Sequence, residues 1–462
     1  MGTLSSALNI AVQSMLAEQT ALDTTSNNIA NANTPGYSRQ TVSFTEAPPI
    51  EYGGQLYGNG VQISQIASQR NTVLQMRLDQ ETQQQGSYNS FLSTMQQVQT
   101  LFNETSGTGL QSSITAFFNS LQQLSTDPSN VNLRQAVLTS AQSMAQNFSG
   151  TSASLTSIQK SVDSTVVQSV SQIDSLTSQI AHLNGQISGA ESIGQNAGSL
   201  IDQRTQLVNQ LSGLIDVSEI DGGNGNLTLT TTSGSPLVVG KNSYQLTAQA
   251  DPTTGFEHVY SLGNNDITSS ISGGSLGGAL QARDVAIPSV LSQLDAIASN
   301  LESSFNSANQ AGFDLNGNPG GNFFVNPPAG GTGAAAAMSV AITDPSRIAA
   351  SLDGSTGDNA NITAMLNIQN QPIVGGQTPL GAYSNLVFKA GNDVSSAQSE
   401  QQGAAATIQQ LQDQIGSVSG VSINEESANL VQYEQAYQAA AQVASVIATL
   451  TATTINMVNG AH

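Results

Sequence analysis

Apolar residues recur at steps of three and four at both ends of the chain. Leu4, Leu8, Ala11, Met15, Leu22 and Ile29 form one series, interrupted by Glu18 and Thr25. Ile423, Leu430, Tyr433, Tyr437, Ala440, Ala444, Ile447, Thr451, Thr454 and Val458 form the other, with Glu426 as its break. Such spacing lays side chains along one stripe of a helix. Both stripes are diluted by Ala, Thr and Gln, so each helix alone buries little and is marginal. The two ends need apolar surface from each other or from another copy of the chain. Because they are short, weakly apolar and terminal, packing between copies is the expectation. Leu4, Leu8, Met15, Leu22, Ile29, Leu430, Tyr433, Tyr437, Ile447 and Val458 are the candidate subunit-interface residues.

The helical period returns inside the chain. Leu74, Leu78, Tyr88, Phe91, Met95, Val98 and Phe102 predict a helix from about residue 71, and Ile114 to Leu124 a second. From Asn130 the pattern runs through Val137, Met144 and Phe148, then resumes from Leu155 to Ile187. A turn is expected over 188–198 and a helix over 200–214. At Asp221-Gly222-Gly223 the period changes to two, and residues 227–231, 236–239, 244–247 and 259–262 read as strands. Helix returns over 276–310, kinked or restarted at Pro288, and over 380–419, where Gln401 is the polar exception. Residues 45–70 read as loop with a short strand near Val61 and Ile63. The internal stripes are assigned to the chain's own core. The fold class is mainly α with an inserted all-β domain: a long helical bundle or coiled-coil core with the terminal helices paired. The expected division is 1–70 with 419–462, 71–220 with 274–418, and 221–273 for the β insertion.

Composition narrows the function. Only 9% of the 462 residues are charged, against about 25% in an average soluble protein. Ten basic residues stand against 31 acidic ones, for a net charge of −21. Nucleic-acid binding is disfavoured, because too few cations are present to displace counterions. There is no cysteine, which excludes disulfides and thiolate metal sites. No secretory signal pattern opens the sequence, and no apolar run is long enough to predict a membrane span.

One stretch carries a recognisable pattern: Asn27-Asn28-Ile29-Ala30-Asn31-Ala32-Asn33-Thr34-Pro35-Gly36-Tyr37-Ser38-Arg39-Gln40. Asparagines near a helix end, then Pro-Gly, read as a stop and a type II turn. The stretch resembles the N-terminal motif of the bacterial flagellar axial proteins (rod, hook and hook-associated). Its ending is most similar to the hook-associated protein 1 family, at the junction of hook and filament. The same family is resembled by Leu200-Ile201-Asp202-Gln203-Arg204-Thr205-Gln206-Leu207, by residues 311–324, by residues 342–350 and by residues 419–441. Near the C-terminus, Ala452-Thr453-Thr454 departs from a more acidic axial pattern.

The resemblance implies a structural, non-enzymatic flagellar component outside the cell, joining hook to filament and exported without a cleaved signal. It implies a homo-oligomer in a ring or short tube, with paired terminal helices innermost and β-rich material outermost. Hook protein, a second hook–filament junction protein and an export chaperone at the C-terminal region are the implied partners, and no cofactor is implied. Another axial protein, such as a rod or hook subunit, and a secreted cell-wall hydrolase are the competing readings.

Three motifs mimic chemistry. Gly273-Gly274-Ser275-Leu276-Gly277 has the G-x-S-x-G form of a nucleophile elbow, but His462 is the only later histidine, with His182 and His258 upstream. A flexible link is the expectation there. Asp314, Asn316 and Asn318 open like a calcium loop, yet Pro319 and Val325 stand where Gly and Glu are needed. Gly331-Thr332-Gly333-Ala334-Ala335-Ala336 lacks the preceding strand and the later acidic residue of a dinucleotide site. No catalytic, cofactor or metal residue is assigned.

Overall fold

The computed structural model describes residues 2–52, 54–103 and 107–459. Helix α1 (Gly2–Ala30) leads into the Pro35-Gly36 turn, where Gly36 takes φ +77°. Then β1 (Gln40–Glu46) pairs antiparallel with β4 (Val61–Ser68), and between them β2 (Ile50–Tyr52) pairs with β3 (Gln55–Tyr57). The expected loop over 45–70 is therefore largely ribbon. A bulge between Ser43 and Phe44 accommodates the mismatch in strand lengths.

The helical body follows with α2 (Thr72–Thr100), α3 (Leu110–Leu124), α4 (Val131–Ser192) and α5 (Gly198–Ser212). Asn71 and Asn130 start α2 and α4 by accepting backbone N–H groups from Leu74 and from Asn132. The two stretches predicted over 130–187 are one unbroken helix of 62 residues, about 93 Å long at 1.5 Å per residue. Its polar middle stays helical because one face remains buried throughout, at Phe148, Ser152, Leu155 and Gln159, while exposed or half-buried hydroxyls are satisfied on the helix itself, Ser149 Oγ donating to Gln146 O and Thr156 Oγ1 to Ser152 O. The predicted turn begins only at Ile193, with Gly194 at φ +74°.

Helix α4 carries two cores. Its first half packs Val137, Met144, Phe148 and Leu155 into a cluster with Phe117, Phe118, Phe305, Phe323 and Phe324. Phe117, Phe305 and the Phe323–Phe324 pair stack with ring centroids 4.9 to 6.0 Å apart. Its second half packs Val166, Ile173 and Ile180 against the β insertion. There β5 (Ser218–Asp221), β6 (Leu227–Thr230), β7 (Pro236–Val239) and β8 (Asn242–Ser243) form one antiparallel sheet in that order. A second sheet holds β9 (Thr247–Ala250), β10 (Glu257–Ser261) and β11 (Asn265–Asp266), with β10 central. The strand expected over 244–247 is not formed. Residues 244–246 cross between the sheets, Leu246 is buried, and its N–H is taken by Asp174 on α4 at 2.9 Å.

Next come α6 (Gly274–Gln281), a wide π turn over Ala282–Ala286, and α7 (Ile287–Gln310). The helix runs through the π turn without a break, Pro288 follows just after it, and Arg283 O is taken by Gln159 Nε2 at 2.8 Å. The G-x-S-x-G stretch is a packing device. Gly274 stands at φ +66°, and a Cβ on it would collide with the Leu214–Ile215 backbone, as one on Gly278 would with the Ser87 carbonyl. Ser275 donates its N–H to Gly213 O at 2.9 Å. His182 is exposed on α4, His258 is hydrogen bonded to Asp266, and His462 lies outside the described residues. At the calcium-like loop, Asp314 Oδ1 accepts the backbone N–H groups of Asn316 and Asn318, so the carboxylate closes a turn.

Short α8 (Ala334–Ala337) is held by Asp295 of α7, which accepts Gly333 N–H and Ala335 N–H. After α9 (Ala360–Asn367), helix α10 (Pro379–Ser419) returns antiparallel along α2, with the Phe102 and Tyr383 rings 6.3 Å apart at one end. Helix α11 (Ile423–Asn459) ends the described chain against α1. No described helix is long and apolar enough to cross a membrane.

Two outcomes follow from the first core. Phe117→Ala should cost about 3–5 kcal/mol, whereas Phe388→Ala, at a side chain 73% exposed, should change stability by less than about 0.5 kcal/mol. Urea denaturation followed by circular dichroism distinguishes them. Glu302 is buried on α7, its Oε2 has no hydrogen-bond partner, and desolvation, with Asp295 adding to it, pushes its carboxyl up to about 8 from 4.5. A carboxyl that keeps its proton better folded than unfolded adds stability below the unfolded value and loses it as pH rises towards the folded one. The urea midpoint should therefore fall between pH 5 and 8.5, and Glu302→Gln should shrink that fall.

Candidate functional site

The terminal pair is antiparallel. Leu4 and Leu8 meet Thr451 and Thr454 around a cleft of about 170 Å³ at one end, and Asn28 meets Glu426 at the other. Ala11 of α1 and Ala440 and Ile447 of α11 are buried along the seam, while Ala17 and Ala21 are buried on the face of α1 that carries Ile10 and Asn28. Of the candidate residues, Leu4, Leu8, Met15, Leu22, Ile29, Leu430, Tyr433 and Tyr437 are half-buried, and Ile447 is buried. The Tyr433 ring lies 6.2 Å from Phe44 of β1. The side chain of Val458 lies outside the described residues. The sequence favoured packing between copies for these stripes. Within one chain α1 and α11 pack on each other along these stripes.

A second stripe stays bare. On α11, Ala439, Val443, Val446, Leu450, Thr453 and Met457 repeat steps of four and three and are all exposed. They run one residue behind the packed series, which is about 100° around the helix. On α1, Val12 and Leu16 are likewise exposed, Leu16 at 59%.

The far end of the pair is locked by a polar clasp. Asn28 is 1% exposed and uses its whole amide. Its Nδ2 donates to Gln40 O at 2.8 Å and Glu426 Oε2 at 2.9 Å. Its Oδ1 accepts Gln40 N–H at 3.0 Å and the Tyr37 hydroxyl at 2.8 Å. Four bonds is the full capacity of an amide side chain. Arg39 completes the clasp, with Nε 2.7 Å from Glu426 and Nη1 3.1 Å from Glu425. Its backbone N–H donates to Ser419 O at the end of α10. Ser422 and Glu425 therefore form only half of the expected capping box: the Glu425 N–H reaches Ser422 Oγ at 3.4 Å, while its carboxylate turns to Arg39.

The clasp continues into α5. Asp202 accepts the Ser38 N–H and hydroxyl, at 3.1 and 2.7 Å, and pairs with Arg70 at 2.8 Å. Gln206 donates to the Pro35 carbonyl, and Gly36 lies so close to Gln206 that a Cβ would collide. Burial raises the Tyr37 hydroxyl above its ordinary pKa, with Asp202 and Glu426 adding to the shift. Three segments far apart in sequence thus meet at one point: the Asn27–Gln40 motif, the 200–207 segment and the start of α11.

By apolar periodicity Glu426 is a break in its series and Arg39 and Asp202 have no assigned role, yet all three belong to the clasp. A signal was present. Arg39 is the only cation in the first 69 residues, and none follows Lys389. A carboxylate in a buried phase of either terminal helix had no other terminal partner.

Removing Glu426 leaves Asn28 and Arg39 short of an acceptor. Glu426→Ala should loosen this end by about 2–3 kcal/mol, seen as faster amide exchange at the end of α1 and the start of α11. Glu426→Gln, which keeps one acceptor, should lose less. Unchanged exchange in both variants would mean that the clasp does not hold the helices.

The family model for the flagellar hook-associated protein FlgK helical domain matches residues 95–324, and that for the flagella basal body rod protein matches residues 8–37. The chain is 31% identical to flagellar hook-associated protein 1 of Bacillus subtilis over 95% of each. It is 30% identical to the protein of the same name from Salmonella typhimurium, over 95% of this chain and 97% of that one. The fold is similar to that of the flagellar hook junction protein FlgK from Burkholderia pseudomallei, with a TM-score of 0.67 at 20% identity, covering 74% of this chain and all of that one. The chain belongs to the flagellar hook-associated protein 1 family.

Proposed function

We propose that the chain is a structural subunit that joins hook to filament and acts without catalysis. Copies assemble into a ring or short tube. In this reading residues 1–70 and 419–462 form the inner wall, 71–220 and 274–418 a surrounding helical body, and 221–273 an outer β region. Hook protein and a second junction protein are its neighbours. The chain leaves the cell without a cleaved signal, accompanied by an export chaperone at its C-terminal region. The match to the hook-associated helical domain over residues 95–324 and the likeness to hook-associated protein 1 over 95% of the chain disfavour a rod subunit.

The observation that carries the reading is the bare second stripe. Full burial of one Val or Leu gains about 1.5–3 kcal/mol, and Val443, Val446 and Leu450 are each half exposed. Covering several such side chains on a helix already fixed by its clasp adds stability only when a neighbour arrives. The candidate residues of the packed seam, Leu4 to Ile29 and Leu430 to Val458, hold the geometry from which that stripe is presented.

The test is complementation of a strain lacking its own copy. Val446→Glu with Leu450→Glu should leave helix content unchanged by circular dichroism. Electron microscopy should show hooks ending bare, with flagellin in the medium. Filaments of normal number and length from this variant would overturn the reading.

A further inference from the structure

The β2–β3 hairpin has no packing surface of its own. Its two strands pack chiefly on each other, and Ile50, Leu56 and Tyr57 are exposed, Leu56 at 72%. A two-stranded hairpin standing alone in water is marginal, so three bare apolar side chains on it call for a covering surface.

Where the hairpin emerges says which surface fits. The β1–β4 ribbon runs along one flank of α1. It starts at Gln40, bonded to Asn28, and closes at Gly60, whose backbone lies against Ile10 and whose carbonyl accepts the Ala47 N–H at 2.9 Å. Ile10 and Asn28 are about five whole helical turns apart, so they share one face of α1. Val12 and Leu16, the bare residues of α1, lie roughly 120–160° around from that face. One flank of the terminal pair therefore carries an apolar projection and the opposite flank an apolar strip. The hairpin is tied to the wrong side to reach the strip on its own chain. A projection and a matching strip on opposite flanks is the arrangement of a head-to-tail contact between identical subunits, which closes into rings or continues as helices.

We propose that the β2–β3 hairpin of one copy lies across Val12 and Leu16 of the next copy, with Leu56 and Tyr57 as its anchors. The proposal rests on the assembly reading above and adds the arm that links each subunit to its neighbour.

The chain contains no cysteine, so engineered cysteines report without background. Full-length chains carrying Leu56→Cys and Leu16→Cys, with different tags, are co-expressed in a strain lacking its own copy. Isolated flagella are then oxidised. A disulfide-linked heterodimer is expected at least tenfold above that from Leu56→Cys with Val285→Cys, an exposed site on the helical body. Tyr57→Cys with Val12→Cys serves as a second pair. A chain bearing both Leu56→Cys and Leu16→Cys should give a ladder of covalent multimers. Heterodimer yields no higher than the Val285 control in both pairs, or closure of the double variant within one chain, would overturn the hairpin contact while leaving assembly intact. Failure of the unsubstituted chain to enter flagella would overturn the assembly reading, and this contact with it.

Discussion

A buried asparagine with every hydrogen-bonding position filled is the point on which this molecule turns. Asn28 ties the end of α1 to the first residue of β1, to the Tyr37 hydroxyl and to Glu426 of α11. An amide left even partly unpaired at 1% exposure would cost rather than stabilise. The motif's order of residues follows from that demand. Tyr37 and Gln40 must sit where one side chain can reach both, and Pro35-Gly36 supplies the turn that brings them back. Once that loop is shaped, Arg39 faces α11 and Ser38 faces α5. One short segment thereby sets the position of the terminal pair relative to the helical body.

The body is organised differently, by length and by closeness of approach. A single helix serves two cores, one rich in phenylalanine and one shared with the β sheets. Asn184 and Asp174 on α4 reach the sheets directly: Asn184 donates to the Leu227 and Gly240 carbonyls, and Asp174 accepts the Leu246 N–H. Arg283, fully buried in the π turn, adds Asp163 of α4, the Glu257 carbonyl of β10 and the Phe256 ring. The wide turn projects this guanidinium towards the β insertion from a helix otherwise committed to the bundle.

Much of this was legible in the sequence, for identifiable reasons. The long helices announce themselves by a period that survives dilution, as from Leu155 to Ile187. The change to a period of two at Asp221 marks the β insertion. Three kinds of feature were not legible. Continuity through the Ser- and Thr-rich middle of α4 depends on polar residues, Ser152 and Gln159, being buried against the rest of the body, which apolar periodicity does not reveal. The outer ribbon is signalled by the alternation at Thr41–Phe44 and by Val61 and Ile63, but the β2–β3 hairpin between them depends on pairing of two short strands, where Pro and Gly suggest loop. The clasp was hidden because its members are polar residues inside apolar series, and a partner 398 residues away leaves no periodic trace.

The distribution of guanidinium groups has a wider consequence. Arg39, Arg70, Arg134, Arg204 and Arg283 all face inward, onto carboxylates, amides or backbone carbonyls. Half of the chain's ten cations are therefore withdrawn from a surface that must display most of a charge of −21. In the proposed assembly identical subunits would meet as like-charged bodies, and apolar contact would have to outweigh that repulsion. Dissolved ions, which weaken structures stitched by surface ion pairs, would here screen the repulsion between charges more than about 8 Å apart at physiological strength. The proposed assembly would on this ground hold more firmly as ionic strength rises.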